Sequence, residues 1–180
     1  MLSICLSMLD SDEDKHSFEE LYYTYKQGMY AVAYGILRNK EDAEDAVQKA
    51  FISIANNFEK IKSLSGQELK PCIVIIVRNH SINIYNSNKR RAERVVEYDD
   101  NDSPVDVNFL EKYEYEELIA VISELPVIYR DIIFMHYVRG FTPKEIAKML
   151  DIKVDTVWKR IERAKKQLKE ALEKRGDFNG

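Results

Sequence analysis

At 180 residues, with 45% hydrophobic and 32% charged side chains, the chain is long enough for one or two small globular domains. Its net charge of −4 disfavours nucleic acid as a partner if the charge is averaged over the whole chain. No segment reaches the length of a membrane span, and Met1 to Leu9 is too short and lacks the basic flank of a secretory signal, so a cytoplasmic protein without membrane insertion is expected.

Helical periodicity then dominates the chain. Phe18, Leu21, Tyr22, Tyr25, Met29, Val32, Ala33, Ile36 and Leu37 recur at steps of three and four, which lines one face of a helix. Asn39 is placed to cap the next helix, with Glu41 and Asp42 in its first turn, where the helix dipole favours negative charge. That helix carries the apolar stripe Ala43, Ala46, Val47, Ala50, Phe51 and Ile54. Ser63 to Gln67 reads as a break. From Leu69 to about Ser87 two tendencies conflict. Ile73 to Val77 is an unbroken β-branched run that locally favours a strand, but its neighbours are helical and a lone strand would have nothing to pair with. A helix is therefore expected.

Val96 to Asn108 holds Asp99, Asp100, Asn101, Asp102, Ser103 and Pro104, an acidic, turn-rich stretch that reads as a linker. A helix follows from about Phe109 to Ser123, and Leu125-Pro126 signals the start of another. The expected fold is all-α: two small helical domains, residues 1–95 and 111–180, joined by a flexible acidic linker at 96–110. The apolar stretch Leu2 to Leu9 has no role that this pattern assigns.

The most telling stretch is Gly140 to Leu168, which reads as two helices around a short turn. Thr142-Pro143-Lys144-Glu145 is a capping box that starts the first, with Ile146, Ala147 and Leu150 on its apolar side. The second buries Val157, Ile161, Ala164, Leu168 and Leu172. Opposite them lie Thr156, Lys159, Arg160, Arg163 and Lys166. This is the layout of a helix-turn-helix whose second helix enters the major groove of DNA. Arg160 and Arg163 have the fork geometry for bidentate contacts to guanine, worth about 1–3 kcal/mol of discrimination. Trp158 has two readings, packing in part against the first domain helix or stacking at the DNA backbone, and packing is the favoured one.

The charge is segregated in a way that the average hides. Between Lys153 and Arg175 basic residues outnumber acidic ones by roughly two to one, and a second basic knot holds Lys89, Arg90, Arg91 and Arg94. The acidic excess gathers from Glu97 to Glu117. Cys5 and Cys72 lack zinc-site spacing and are expected as free thiols, and His16, His80 and His136 are scattered, with His80 expected as a surface or partly packed imidazole. No metal, cofactor or catalytic residue is expected, since no Gly-rich phosphate loop and no nucleophile–base pairing occurs.

The order of these segments resembles the extracytoplasmic-function (ECF) group of bacterial RNA polymerase sigma factors, over nearly the whole chain from about Phe18 to Leu172. DAEDAVQKAF, Asp42 to Phe51, is similar to the family's region 2 signature. RNHSIN, Arg78 to Asn83, with the basic knot after it, is similar to its promoter-melting segment. LPVIYRDIIFMHYVRGFTPKEIAKML followed by DTVWKRIERAKKQL is similar to region 4.

The resemblance implies a sigma factor that binds core RNA polymerase, directs it to promoter DNA and helps to separate the strands. It implies that the −35 element is read in duplex form by Lys153, Thr156, Lys159, Arg160, Arg163 and Lys166. It likewise implies that the −10 element is captured as a single strand by Arg78, Asn79, Asn83, Asn86, Lys89, Arg90 and Arg91. It implies too that polymerase docks on the acidic face of Glu41, Asp42, Asp45 and Gln48. An anti-sigma factor is a further partner that the family often has. The sequence departs from the family at Asn83, where Asp is usual, Asn86, where Arg is usual, Cys72, where Trp is usual, and Lys153, where Ser commonly caps the recognition helix. The alternative reading is a stand-alone helix-turn-helix regulator of duplex DNA, which would have no use for an acidic docking helix and a melting segment.

Overall fold

The computed structural model describes residues 1–92 and 122–175, the side chains of 91, 92 and 172–175 excepted. The expected linker at 96–110, most of the helix from Phe109, and the side chains of Arg91, Leu172, Lys174 and Arg175 lie outside the described residues. The chain forms two compact units, one before and one after residues 93–121. Among the described residues every regular element is helical.

The N-terminal unit has five helices: α1 (Leu2–Leu6), α2 (Asp12–Leu37), α3 (Lys40–Asn56), α4 (Phe58–Ile61) and α5 (Gly66–Ala92). Helices α2, α3 and α5 each pack against the other two. Helix α2 begins earlier than the apolar stripe suggests, because the Ser11 hydroxyl accepts a hydrogen bond from the Asp14 N–H at 3.0 Å and caps it, with Asp12, Glu13 and Asp14 in the first turn. It ends at Arg38, which takes the left-handed conformation at φ 52° and returns its N–H to the Tyr34 carbonyl at 2.9 Å. Asn39 caps α3 as expected, its side-chain oxygen accepting from the Asp42 N–H at 3.0 Å. All six residues of the α3 stripe are buried, from Ala43 to Ile54.

Aromatic rings fill the centre. Phe18 meets Phe58 edge-on at 5.3 Å and Phe51 at 6.2 Å, and Tyr22 lies 4.7 Å from Phe51. Helix α1 packs on α2 and α3 and buries Cys5, which gives the apolar N-terminal stretch a place in the core. Cys5 and Cys72 are both buried free thiols.

Helix α5 settles the conflict at Ile73 to Val77 in favour of helix. It lies against both α2 and α3, so Cys72, Ile73, Ile75, Ile76 and Val77 are all buried and apolar residues are needed around most of its girth. A β-branched residue costs a helix a few tenths of a kcal/mol, whereas burying such a side chain contributes about 1.5–3 kcal/mol, so packing overrides local preference. The break at Ser63 to Gln67 is shorter than expected. Glu68 reaches back to accept from the Ser65 N–H at 2.9 Å, one half of a capping box that starts α5 at Gly66.

Buried polar side chains in α5 find partners. Ser81 donates to the Val77 carbonyl at 2.8 Å and Asn79 to the Ile75 carbonyl at 2.9 Å. The expectation of a surface or partly packed His80 is corrected: it is buried, with its Nε2 2.9 Å from the Ser53 hydroxyl on α3. Burial pushes its pKa below the ordinary histidine value.

The C-terminal unit comprises α6 (Val127–Ile133), a π-helical turn (Phe134–Val138), α7 (Pro143–Leu150) and α8 (Val154–Arg175). Helix α6 packs along α8, and Leu125, Tyr129, Ile133 and Ala164 form a buried cluster with Ile122 and Ile128 beside it. Pro126 stands just before α6, one position earlier than the first helical residue. The π turn was not foreseen from the periodicity. Its signature is the Arg139 N–H bonding to the Phe134 carbonyl, five residues back, at 3.0 Å.

Two predictions follow from the helix ends and the buried imidazole. Lys153 has no side-chain acceptor, so Lys153→Ser at the start of α8 raises thermal stability by about 1 kcal/mol, and Asn39→Ala lowers it by a similar amount. Thermal denaturation of both variants checks this. The unfolded state binds a proton at His80 more readily than the folded state, so stability is full above about pH 6.5 and falls as the pH drops below it. Urea unfolding at pH 7.5 and pH 5.5 shows a loss in the wild type and a smaller loss in His80→Gln.

Candidate nucleic-acid interface

The helix-turn-helix is built by three local devices. Thr142 and Glu145 form a complete capping box: the Thr142 N–H donates to Glu145 Oε2 at 2.7 Å and the Glu145 N–H to Thr142 Oγ1 at 3.3 Å. Asp151 closes α7 in the left-handed conformation at φ 52°, and the Ile152 N–H bonds to the Ala147 carbonyl at 3.0 Å. That is a Schellman ending, with Asp in the place glycine usually holds. The Lys153 carbonyl then accepts from the N–H groups of Thr156 and Val157 at 2.9 and 3.2 Å, which starts α8.

Helix α8 buries Val157, Ile161 and Ala164, and Leu168 is half-buried. Lys153, Lys159, Arg163 and Lys166 are exposed, while Thr156 and Arg160 are half-buried. A helix advances about 100° per residue, so Lys159, Arg163 and Lys166 form the outermost row, opposite the buried stripe. Arg160 sits to one side of that row, with its Nη1 atom buried. The row is partly balanced by its own helix: Lys166 lies 3.9 Å from Glu170, and the neighbouring Lys165 lies 3.8 Å from Glu162. Exposed pairs of this kind contribute at most about 0.5 kcal/mol, so a phosphate displaces them readily.

Trp158 is only half covered. Its ring meets His136 of the π turn edge-on at 6.5 Å.

The mid-chain residues are distributed differently along α5. Lys89 and Arg90 are exposed, and Asn86 is half-buried, its carbonyl accepting from Arg90 Nε at 3.4 Å. Asn83 is half-buried. Arg78 and Asn79 are buried, and the Asn79 amide is spent on the Ile75 carbonyl. The exposed cations thus gather at the C-terminal end of α5, where positive charge also suits the helix dipole.

On α3, Glu41 and Asp45 are exposed and Asp42 and Gln48 half-buried, one turn apart along the helix. Asp45 pairs with Lys49 at 2.9 Å, and Asp42 Oδ2 accepts from the Asn88 amide of α5 at 2.9 Å. Asn88 is a residue that the pattern of charges did not single out. It ties the acidic face to the basic end of α5, and only the fold brings the two together.

Among the described residues no group of His, Cys, Asp and Glu is placed to hold a metal ion. None of the described helices is long and apolar enough to cross a membrane.

Two family descriptions match the chain: sigma-70 region 2 over residues 21–91 and sigma-70 region 4 over residues 115–168. Similar proteins include the ECF RNA polymerase sigma factor SigX of Bacillus subtilis, 22% identical over 88% of this chain and 85% of that one. SigM of the same organism is 26% identical over 89% of this chain and 97% of its own length. The ECF sigma factor SigE of Mycolicibacterium smegmatis is 27% identical over 88% of this chain and 62% of its own. The sigma factor RpoE solved with the anti-sigma factor NepR from Bartonella quintana aligns over 87% of this chain and 97% of that one at 17% identity, with a TM-score of 0.34.

Proposed function

The chain belongs to the extracytoplasmic-function group of the sigma-70 family, and from that premise we propose how its surfaces share the work of starting transcription. As a sigma factor it binds core RNA polymerase and promoter DNA and directs transcription initiation. Sigma factors regulate rather than catalyse, and the chain acts without a cofactor and in the cytoplasm, where its polymerase is.

The recognition helix α8 reads the −35 element as duplex through Lys159, Arg163 and Lys166, with Lys153, Thr156 and Arg160 beside them. The observation that carries this is α8 itself, whose buried stripe of Val157, Ile161 and Ala164 lies opposite the exposed row of Lys159, Arg163 and Lys166, directly after the capped α7. The exposed Lys89 and Arg90, with Arg91 next in sequence, follow the phosphates of the separated −10 strand, and Asn86 and Asn83 lie about one and two turns before them. For Asn79 to read a base its amide must leave the Ile75 carbonyl, and Arg78 must leave its buried position. The face of Glu41, Asp42, Asp45 and Gln48 offers negative charge to a basic partner surface on the polymerase. An anti-sigma factor would compete for the same surfaces.

The deciding experiment is transcription in vitro with core polymerase on a library of genomic promoters. The chain directs initiation from a subset of them, and failure on every template would undo the reading. A stand-alone regulator would instead bind specific duplex DNA tightly without polymerase. Arg163→Ala lowers initiation on a promoter with its −35 element intact by about 5- to 150-fold, the equivalent of a lost bidentate contact, and by much less once that element is scrambled. Equal losses on both templates would mean that Arg163 meets phosphates only. Asp45→Lys weakens association with core polymerase at low salt and makes it less sensitive to added salt than that of the wild type, measured by competition against the wild-type chain.

A further inference from the structure

The C-terminal unit leaves two large rings half in solvent. Trp158 is 48% exposed and Tyr137 52% exposed. Trp158 meets the edge of His136, and His136 meets Tyr137 at 4.7 Å in the same manner. His136 is itself pinned, since its Nδ1–H donates to the Phe141 carbonyl at 2.8 Å. The indole is therefore held along one edge and presents the rest of its apolar surface outward.

Its place on α8 says what that surface meets. Trp158 lies within the first two turns, the part of a groove-inserted helix that reaches base edges. Measured from the buried stripe of Val157, Ile161 and Ala164, it stands on the flank of the row formed by Lys159, Arg163 and Lys166. Further along its own flank come Lys165 and Lys169. An apolar protein surface laid on this flank would press lysines against it. Duplex DNA satisfies both features at once, with phosphates for the lysines and a base edge for the ring. Among base edges in the major groove only thymine carries an apolar group, the C5-methyl.

We infer that Trp158 is a specificity residue of the recognition helix, its indole resting on the methyl of one thymine in the −35 element, while Lys165 and Lys169 meet phosphates of the same strand. The inference rests on the promoter-reading role given to α8 above. It adds to that role a base read by apolar contact, at a position outside the cationic row.

The test uses the full chain with core polymerase on a promoter that the wild-type holoenzyme initiates. Each thymine of the −35 element, on either strand, is replaced singly by deoxyuridine, which removes only the methyl and leaves the protein's fold untouched. Open-complex formation is measured for the wild type and for Trp158→Ala. At one thymine the wild type loses about fourfold, the equivalent of one methyl kept from water, and Trp158→Ala loses nothing further. Trp158→Phe retains part of the coupling. Equal losses in wild type and Trp158→Ala at every thymine, or no loss anywhere, would overturn the inference while leaving the sigma-factor reading intact. A wild-type holoenzyme that initiates on no promoter overturns both.

Discussion

Every regular element among the described residues is a helix, and each has to satisfy the backbone N–H and C=O groups left unpaired at its ends, so the bounds of these elements depend on how that is done. Ser11, Asn39, the Ser65–Glu68 pair and the Thr142–Glu145 pair each set where a long helix starts. Arg38 and Asp151, both left-handed, set where two of them stop. Within those limits the apolar stripes decide which face turns inward. Phe18 of α2, Phe51 of α3 and Phe58 of α4 meet in one ring cluster. The stripe of Val157, Ile161 and Ala164 turns inward on α8 and leaves its basic row outside.

Most of this was legible in the sequence where one signal acted alone. The Asn39 cap, the α3 stripe and the Thr142–Glu145 box are local, and the structure has all three. The helix at Ile73 to Val77 was legible only by elimination, since local preference pointed to a strand. Its physical reason, burial against two neighbours, is a tertiary fact. The early start of α2 was missed because an apolar stripe marks where packing begins and not where the hydrogen bonding begins. The Ser11-x-x-Asp14 spacing was the available signal. The π turn had no such signal, because an extra residue in a helix leaves composition unchanged.

The site residues divide along the same line. The cations of α8 announced themselves, since a basic row opposite an apolar stripe needs only helical geometry to interpret. Within α5 the sequence did not separate Arg78 and Asn79, which are buried, from Lys89 and Arg90, which are exposed. Charge and amide groups look alike on paper whether they face the core or the solvent. The Asn88–Asp42 hydrogen bond links residues far apart in the chain, and no spacing rule reaches that far.

The acidic residues of α8 have a kinetic consequence. Glu162 and Glu170 sit within reach of Lys165 and Lys166 before any DNA arrives. In the proposed contact with DNA, docking is therefore an exchange of one anion for another and not the capture of an anion by a bare cation. The carboxylates remain tethered a turn away throughout, ready to retake the lysines whenever a phosphate slips. A grip made this way lets go in small steps, so its lifetime is short for the number of contacts it makes, and the helix that finds the element can also leave it.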